Sequence, residues 1–236
     1  MEQQLPIIGV LGKAHAGKST IGEMLMSANK GATMAFATKL KQVVSEVYDI
    51  PLEELSTDEG KDKETEFDRL MCPDCGSVAV DEVSLADTEP LASCRECGTT
   101  GALTVFKSKW TRRDILQYVG TQGFRTVNEN VWAHLAMRIA RHYLKQNKRH
   151  IVVFTDCRFK SEATAIWAAG GEVWRVKRPE TDVKEEGIKG HLSETEQEEI
   201  PDSQCQAVIM NDGTLENLQG LVKAQLMRFN DRYLRS

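Results

Sequence analysis

Near the start of the chain, Gly12-Lys13-Ala14-His15-Ala16-Gly17-Lys18-Ser19 fills every fixed position of the pattern G-x-x-x-x-G-K-[ST]. Residue types at that spacing are suited to binding phosphate. The glycines let the backbone curl until its N–H groups converge on phosphate oxygens. Lys18 can then reach β- and γ-phosphates, and the Ser19 hydroxyl can ligate Mg²⁺. A helix opening near Lys18 points the positive end of its dipole at the same anions. The expected triphosphate-binding set is Gly12, Lys13, Ala14, His15, Ala16, Gly17, Lys18, Ser19 and Thr20. His15 reads either as a phosphate contact or as a tolerated variable position. The motif specifies a nucleoside triphosphate but leaves the reaction open.

A second group of residues has metal-binding chemistry. Cys72-x-x-Cys75 and Cys94-x-x-Cys97 are separated by 18 residues, and both pairs run into a glycine, CPDCG and CRECG. This is the spacing of a four-cysteine zinc site. Four thiolates complete the tetrahedral shell of Zn²⁺ and leave no position for a substrate, so the metal is expected to be structural. The segment holds too little apolar material to fold alone, and metal binding would supply much of its folding free energy. Cys157 and Cys205 flank apolar strands and read as small core residues. A zinc ribbon can also grip nucleic acid, but between Cys72 and Cys97 one basic residue, Arg95, faces six acidic ones. That balance argues against phosphate-backbone contacts.

Further along, Asp156 ends a hydrophobic strand, at the strand end where parallel α/β sheets place ligand groups. A carboxylate there can hold Mg²⁺ directly or through water, or it can cap a helix. Arg158, two residues on, carries the planar fork suited to bidentate phosphate recognition. Arg113 and Gln117 stand i, i+4 on a predicted helix and share one face. That face could offer a phosphate clamp and a base-edge hydrogen bond. Arg125 is either part of the same chemistry or a surface arginine. Ser193-Glu194-Thr195-Glu196 fits an S-x-x-E capping box and could simply open a helix.

The elements that must position these groups follow from periodicity. An apolar run at 5–11 predicts a buried strand, and Ile21, Met24, Leu25 and Ala28 mark the helix after the glycine loop. A second strand is expected at 32–37, then a helix through Leu40, Val43, Val44 and Val47 that ends by Pro51. Residues 52–69 are highly charged and read as a solvated helix or linker. The cysteine segment, 71–107, has the character of an inserted mini-domain. Helices are expected at 111–124 and at 129–146, the latter with Val131, Leu135, Ile139 and Tyr143 on one face. Strands follow at 150–155, 172–177 and 206–210, with a helix between the first two and a last one through Leu215, Leu218, Val222 and Leu226. Trp132 and Trp167 read as core. Strands alternating with helices imply a parallel sheet covered on both faces.

Composition narrows the classes. The chain has 236 residues, a hydrophobic fraction of 41% and a net charge of −5. It is long enough for one α/β domain with an insertion. A bulk-electrostatic nucleic-acid binder is disfavoured. No apolar run of about 18 residues predicts a membrane span, and the first residues lack the pattern of a signal peptide. Six cysteines without such a signal point to a reducing compartment, the cytoplasm.

Several stretches carry a family resemblance in order along the chain. These are the glycine loop, R-x-x-L-Q-x-x-G-T within 111–125, the strand ending D-x-R-F within 152–163, Arg178-Pro179, H-x-S-E at 191–194 and N-D-G-T-x-x-x-L at 211–218. Together they resemble the phage-type deoxynucleoside monophosphate kinases, across most of the chain except roughly residues 52–108. The resemblance implies a three-layer P-loop kinase fold with sheet order 2-3-1-4-5. It implies transfer of the ATP γ-phosphate, with Mg²⁺, onto a deoxynucleoside monophosphate. Lys18, Asp156 and Arg158 would be catalytic, and Ser19 and Asp156 would hold Mg²⁺. Lys39, Arg113, Gln117, Arg125 and Arg158 would bind the acceptor monophosphate. Arg178, His191, Ser193 and Glu194 would belong to a lid over 178–200. The implied organisation is a core of 1–51 and 111–236, interrupted by a monophosphate-binding arm at 52–110 that bears the structural zinc. The partners expected are ATP and the monophosphate, with a homodimer left open, no membrane and no nucleic acid. If the protein is phage-encoded, its compartment is the host cytoplasm.

The cysteine insertion departs from that family and bears on acceptor-site shape and base preference. Two rival readings stand beside the main one. One is a P-loop kinase for a modified-base nucleotide or another small acceptor. The other is an ATP-dependent nucleic-acid-binding protein built on a zinc ribbon.

Overall fold

The computed structural model describes residues 4–13, 15–77, 80–83, 91–179 and 192–234. Ala14 and His191 of the expected sites, and residues 180–190 of the expected lid, lie outside the described residues. The chain divides into two compact units, one of residues 1–39 with 124–236 and one of residues 40–123.

The first unit is built on a five-stranded parallel sheet. Its strands are β1 (Ile7–Leu11), β2 (Gly31–Met34), β8 (Ile151–Cys157), β9 (Glu172–Lys177) and β10 (Ala207–Met210). They lie in the order β10-β9-β1-β8-β2, every pair parallel. Numbering only these five along the chain gives 2-3-1-4-5. Alternate side chains leave opposite faces of a strand, and this sequence uses both. Ile7, Leu11, Val152, Phe154 and Val173 pack with α6 (Val131–Gln146) and α7 (Lys160–Ala168). Ile8, Val10, Ile151, Val153, Trp174 and Ile209 pack with α1 (Lys18–Ala28) and α9 (Leu215–Tyr233). Burial on both faces is why these strands read as continuous apolar runs. Three layers result.

One expected helix face is corrected. On α6 the buried residues are Trp132, Ala133, Ala136, Met137, Ala140 and Leu144, while Ile139 is 47% exposed. The stripe against the sheet is rich in alanine, which lets the helix approach closely. The larger aliphatics that suggested the other face lie on its flank. Trp132 is buried as expected, whereas Trp167 is only partly buried against the same core.

The second unit contains most of α2 (Thr38–Tyr48), α3 (Asp58–Asp62), β3 (Glu64–Leu70) and β7 (Lys107–Thr111). α5 (Arg112–Gln117) follows and runs into a π-helix at Tyr118–Arg125. The two compact units divide at 39/40 and 123/124. The reason is a separate apolar cluster of Val44, Ile50, Leu55 and Ile115, supported by Phe67, Trp110 and Leu116, which binds α2 to α5. The charged stretch is not a solvated linker throughout, since Glu64–Leu70 pairs antiparallel with Lys107–Thr111. Its charges are met by neighbours: Asp68 pairs with Lys109 of the facing strand at 2.6 Å, and Arg69 pairs with Asp114 of the following helix at 3.0 Å. Between these two strands lies a small antiparallel sheet of β4 (Val80–Val83), β5 (Leu91–Cys94) and β6 (Thr100–Ala102), followed by the short α4 (Leu103–Phe106).

Candidate active site

Register places the chemistry along one edge of the parallel sheet. Leu11 is paired with both Cys157 and Arg175, Met34 with Phe154, and Met210 with Lys177. The segments leaving the carboxyl ends of these strands therefore emerge side by side. They carry Gly12 and its loop, Lys39, Asp156 and Arg158, Arg178, and Asn211. Ligands of open α/β sheets bind at this edge.

The glycine loop has two positions where a side chain will not fit. A Cβ on Gly12 would lie 2.5 Å from the Val176 carbonyl oxygen. Gly17 has φ +104°, and a Cβ there would meet Asn211 Nδ2 at 2.6 Å. Asn211 donates from that nitrogen to the Ala16 carbonyl, at 2.9 Å. The loop is thus held from the last strand as well as from its own turn. Lys18 opens α1, and its ammonium donates to the carbonyls of Gly12 and Lys13, each at 2.6 Å. Ser19 is exposed in the first turn of α1, beside Thr20. His15 is exposed with φ +59°, and Ala16 is buried.

Lys13 reaches outward to Glu198, at 3.2 Å, on α8 (Leu192–Glu199). The far end of α8 is tied to β9, because Arg175 donates to the carbonyls of Gln197 and Ile200 and pairs with Asp202. Ser193 and Glu194 lie in α8 itself. Arg178 follows β9 and is exposed.

On the other side of the loop, Asp156 accepts from the backbone N–H of Phe36 at 2.9 Å and of Ala37 at 3.1 Å. It thereby anchors the connection between β2 and α2, just before the exposed Lys39. Two residues on, the backbone N–H of Arg158 donates to Glu162 Oε2 at 2.8 Å, and that of Phe159 to the same oxygen at 3.1 Å. The remaining oxygen of Glu162 accepts from Arg125 at 3.3 Å. The Arg125 guanidinium also lies over the Phe159 ring, 3.6 Å from its centroid. Glu162 is only 3% exposed. Burial, reinforced by the nearby Asp156 charge, pushes its carboxyl up to about 7, against the hydrogen bonds and the arginine that favour the ionised form. Arg125 is accordingly a partly buried, oriented side chain and not a loose surface arginine.

Glu162 and Asn211 were both missed by sequence reasoning. Each lies inside a stretch that carries the family resemblance, but an acidic residue in the first turn of a helix and an asparagine in an N-D-G turn have ordinary local explanations. Glu198 and Arg175 offered no signal at all.

In the second unit, Arg113 and Gln117 do share a face of α5. Asp62 holds the Arg113 guanidinium at 2.5 Å and Asp58 at 3.5 Å. Each aspartate sits below its ordinary carboxyl range, Asp62 through Arg113 and Asp58 first through Lys61. The neighbouring Arg112 is taken up by Glu54 and the Gly60 carbonyl.

The four cysteines also gather within this unit. The two knuckles have the same build, Gly76 N–H to Cys72 carbonyl at 2.9 Å and Gly98 N–H to Cys94 carbonyl at 3.0 Å. The four sulfurs lie within 4.8 Å of one another, with Cys72–Cys97 at 3.5 Å and Cys75–Cys94 at 3.6 Å. A tetrahedral ZnS₄ site with about 2.3 Å bonds has edges of about 3.8 Å, so the donor set fits zinc in type, number and spacing. Cys97 is drawn down to about 6, chiefly by the Thr99 side chain and backbone, and Thr99 is itself bonded to Asp74. A backbone hydrogen bond at Ser77 favours the Cys75 thiolate, but Cys97, loss of solvent and the other two sulfurs together push it up to about 12. Cys157 is fully buried outside the cluster, and Cys205 is partly buried.

Among the described residues, no helix is long and apolar enough to cross a membrane. The family model of deoxynucleotide monophosphate kinases matches residues 79–222. A protein of Acanthamoeba polyphaga mimivirus named "Putative deoxynucleotide monophosphate kinase" is 25% identical over 221 residues, covering 89% of this chain and 90% of its own. Two solved structures are similar over 96% of this chain and 98% of theirs. TT1252 from Thermus thermophilus has 15% identity and a TM-score of 0.43, and a dephospho-CoA kinase from Campylobacter jejuni has 9% and 0.45.

Proposed function

The chain belongs to the deoxynucleotide monophosphate kinase family, a phosphotransferase, and from that premise we propose that it moves the γ-phosphate of ATP onto a deoxynucleoside monophosphate. The products are ADP and the deoxynucleoside diphosphate. The observation that carries this reading is the sheet edge where the loop of Gly12–Ser19 stands beside the strand end bearing Asp156 and Arg158. Such an edge offers a donor cradle and an acceptor clamp to two substrates at once.

Phosphoryl transfer asks little covalent chemistry of the protein; it asks for in-line positioning and charge neutralisation. The loop N–H groups cradle the triphosphate. Lys18 exchanges the carbonyls of Gly12 and Lys13 for β- and γ-phosphate oxygens. The Ser19 hydroxyl, with Asp156 directly or through water, would hold Mg²⁺, which when bound would supply charge neutralisation to the transferring group. Arg158 and Arg125, with Lys39, grip the acceptor phosphate. Arg113 and Gln117 keep their assignment to the acceptor from the sequence pattern. Arg178, Ser193 and Glu194 keep their assignment to a lid from the family resemblance, as does His191, which lies outside the described residues; a lid would serve to exclude water. Cys72, Cys75, Cys94 and Cys97 hold a structural zinc that takes no part in the chemistry.

The experiment is an acceptor panel. Each ribo- and deoxynucleoside monophosphate is incubated with radiolabelled ATP and Mg²⁺, and diphosphate formation is scored. Preferential labelling of one or more deoxynucleotides is expected. Hydrolysis of ATP with no labelled diphosphate from any monophosphate would overturn the assignment.

A further inference from the structure

Arg125 and Arg158 belong to different elements, 33 residues apart in the chain. One side chain meets both. Glu162 Oε2 takes the backbone N–H of Arg158 and of Phe159, while Oε1 takes the guanidinium of Arg125. The ring of Phe159, whose N–H is on the same carboxylate, lies beneath that guanidinium, with its centroid 3.6 Å from the guanidinium carbon. Arg125 is therefore held on one side by the carboxylate and on another by the ring. Glu162 is nearly inaccessible, at 3% exposure.

Burying an acid is expensive unless something compensates. A helix N-terminus could be capped by a neutral serine or asparagine at far lower cost. A buried carboxylate at this place is accounted for when its second oxygen has a task that needs charge, and the group it meets is an arginine. The guanidinium fork is planar by its own bonding, but a two-point grip on phosphate requires that it be held in one orientation.

We propose that Glu162 is a positioning residue for the acceptor site, coupling Arg125 to the backbone of Arg158 so that the two arginines present one rigid clamp to the monophosphate. The inference rests on the acceptor reading above and adds a residue to it. Glu162 itself contacts neither substrate.

The test uses Glu162→Gln, which keeps side-chain shape and one oxygen for the helix cap but turns an amide NH₂ toward Arg125. Kinetics are measured at pH 8, with the wild type on the acceptor panel in parallel. The acceptor KM is expected to rise roughly tenfold, from the loss of a charge-assisted contact, while the KM for ATP changes less than twofold. Arg125→Ala should raise the acceptor KM similarly, and adding Glu162→Gln to it should cause no further rise, because Glu162 acts through Arg125. Glu162→Asp, which keeps the charge on a shorter stem, should recover part of the loss. Equal damage to both KM values with a fall in Tm, or independent effects of the two mutations, would make Glu162 merely structural and overturn the proposal. If Glu162→Gln does not fold, the comparison of Glu162→Asp with Arg125→Ala carries the same test. A wild type that labels no monophosphate defeats the function reading and this inference together. An active wild type with an unchanged acceptor KM in Glu162→Gln defeats this inference alone.

Discussion

The side-chain amide of Asn211 donates to the carbonyl of Ala16 at 2.9 Å, reaching across 195 residues of sequence to hold the phosphate loop from the far strand. The same nitrogen occupies the space that a side chain on Gly17 would need. On the proposed reading this contact preorganises the loop, and ATP binding there would not have to order it. Asn211→Ala should raise the KM for ATP about fivefold, the equivalent of about 1 kcal/mol for one neutral hydrogen bond. The acceptor KM should be spared. Asn211→Asp should be worse, because a carboxylate facing a carbonyl oxygen repels it. Initial rates with ATP varied at saturating acceptor give the answer, and an unaltered ATP dependence would remove Asn211 from the donor side.

Lys18→Ala should abolish phosphoryl transfer. Its ammonium sits on two carbonyls of its own loop, which are solvated readily once it is gone, so the fold should persist with little change in Tm. Activity near the wild-type level in the folded variant would refute the kinase chemistry.

Arg158→Ala should lower kcat/KM for the monophosphate by one to two decades, the cost of a charge-assisted contact of about 1.5–3 kcal/mol. ATP binding measured without acceptor should hardly change. Arg158→Lys should rescue only partly, since an ammonium lacks the planar fork. The reverse pattern, with ATP affinity lost and acceptor kinetics intact, would move Arg158 to the donor side.

One zinc per chain is expected in protein purified without added metal. Cys94→Ser should lower both the zinc content and the stability of the second unit, whose small cluster of Cys72, Ala92, Cys94 and Phe106 is too slight to stand alone. Metal analysis with thermal melts, before and after chelation, measures this. Full occupancy after removal of both cysteine pairs would place the metal elsewhere.

Glu162 gives stability a pH dependence of definite sign. Its carboxyl is raised from 4.5 to about 7 in the fold, first by burial and then by Asp156, with Arg125 and the backbone of Arg158 and Phe159 opposing. Between those values the folded chain keeps a proton that the unfolded chain has released. The contribution is therefore fully present below pH 4.5 and lost as pH rises through 7. The loss is on the order of 3 kcal/mol from a shift of this size. Relative to Glu162→Gln, the wild type should lose that stability between pH 5 and pH 8 in urea melts. A difference between the two that does not vary with pH would contradict it. Cys157 is fully buried beside Glu162 and Asp156 and held well above its ordinary value, so it stays a neutral thiol across this range.

Features that depend on neighbours in sequence were legible without coordinates. The glycine loop needs its eight residues and a helix behind them; the zinc knuckles need two C-x-x-C-G turns; the strands at 7–11, 151–157 and 172–177 need only uninterrupted apolar residues. Local geometry sets each of these, so the order of residues determines them. Tertiary structure decided what depends on residues far apart in sequence. Which face of α6 is buried was settled by how closely alanines let it approach the sheet, and size-blind periodicity does not record closeness of approach. That α2 and α5 belong to one unit follows from Val44 meeting Ile115. Asn211 and Glu162 owe their roles to partners 195 and 37 residues away. A hydrogen bond has no signature in the sequence between its ends. Only the fold, by bringing strand ends into register along one edge, turns an asparagine in a turn and an acid in a helix cap into supports for the site.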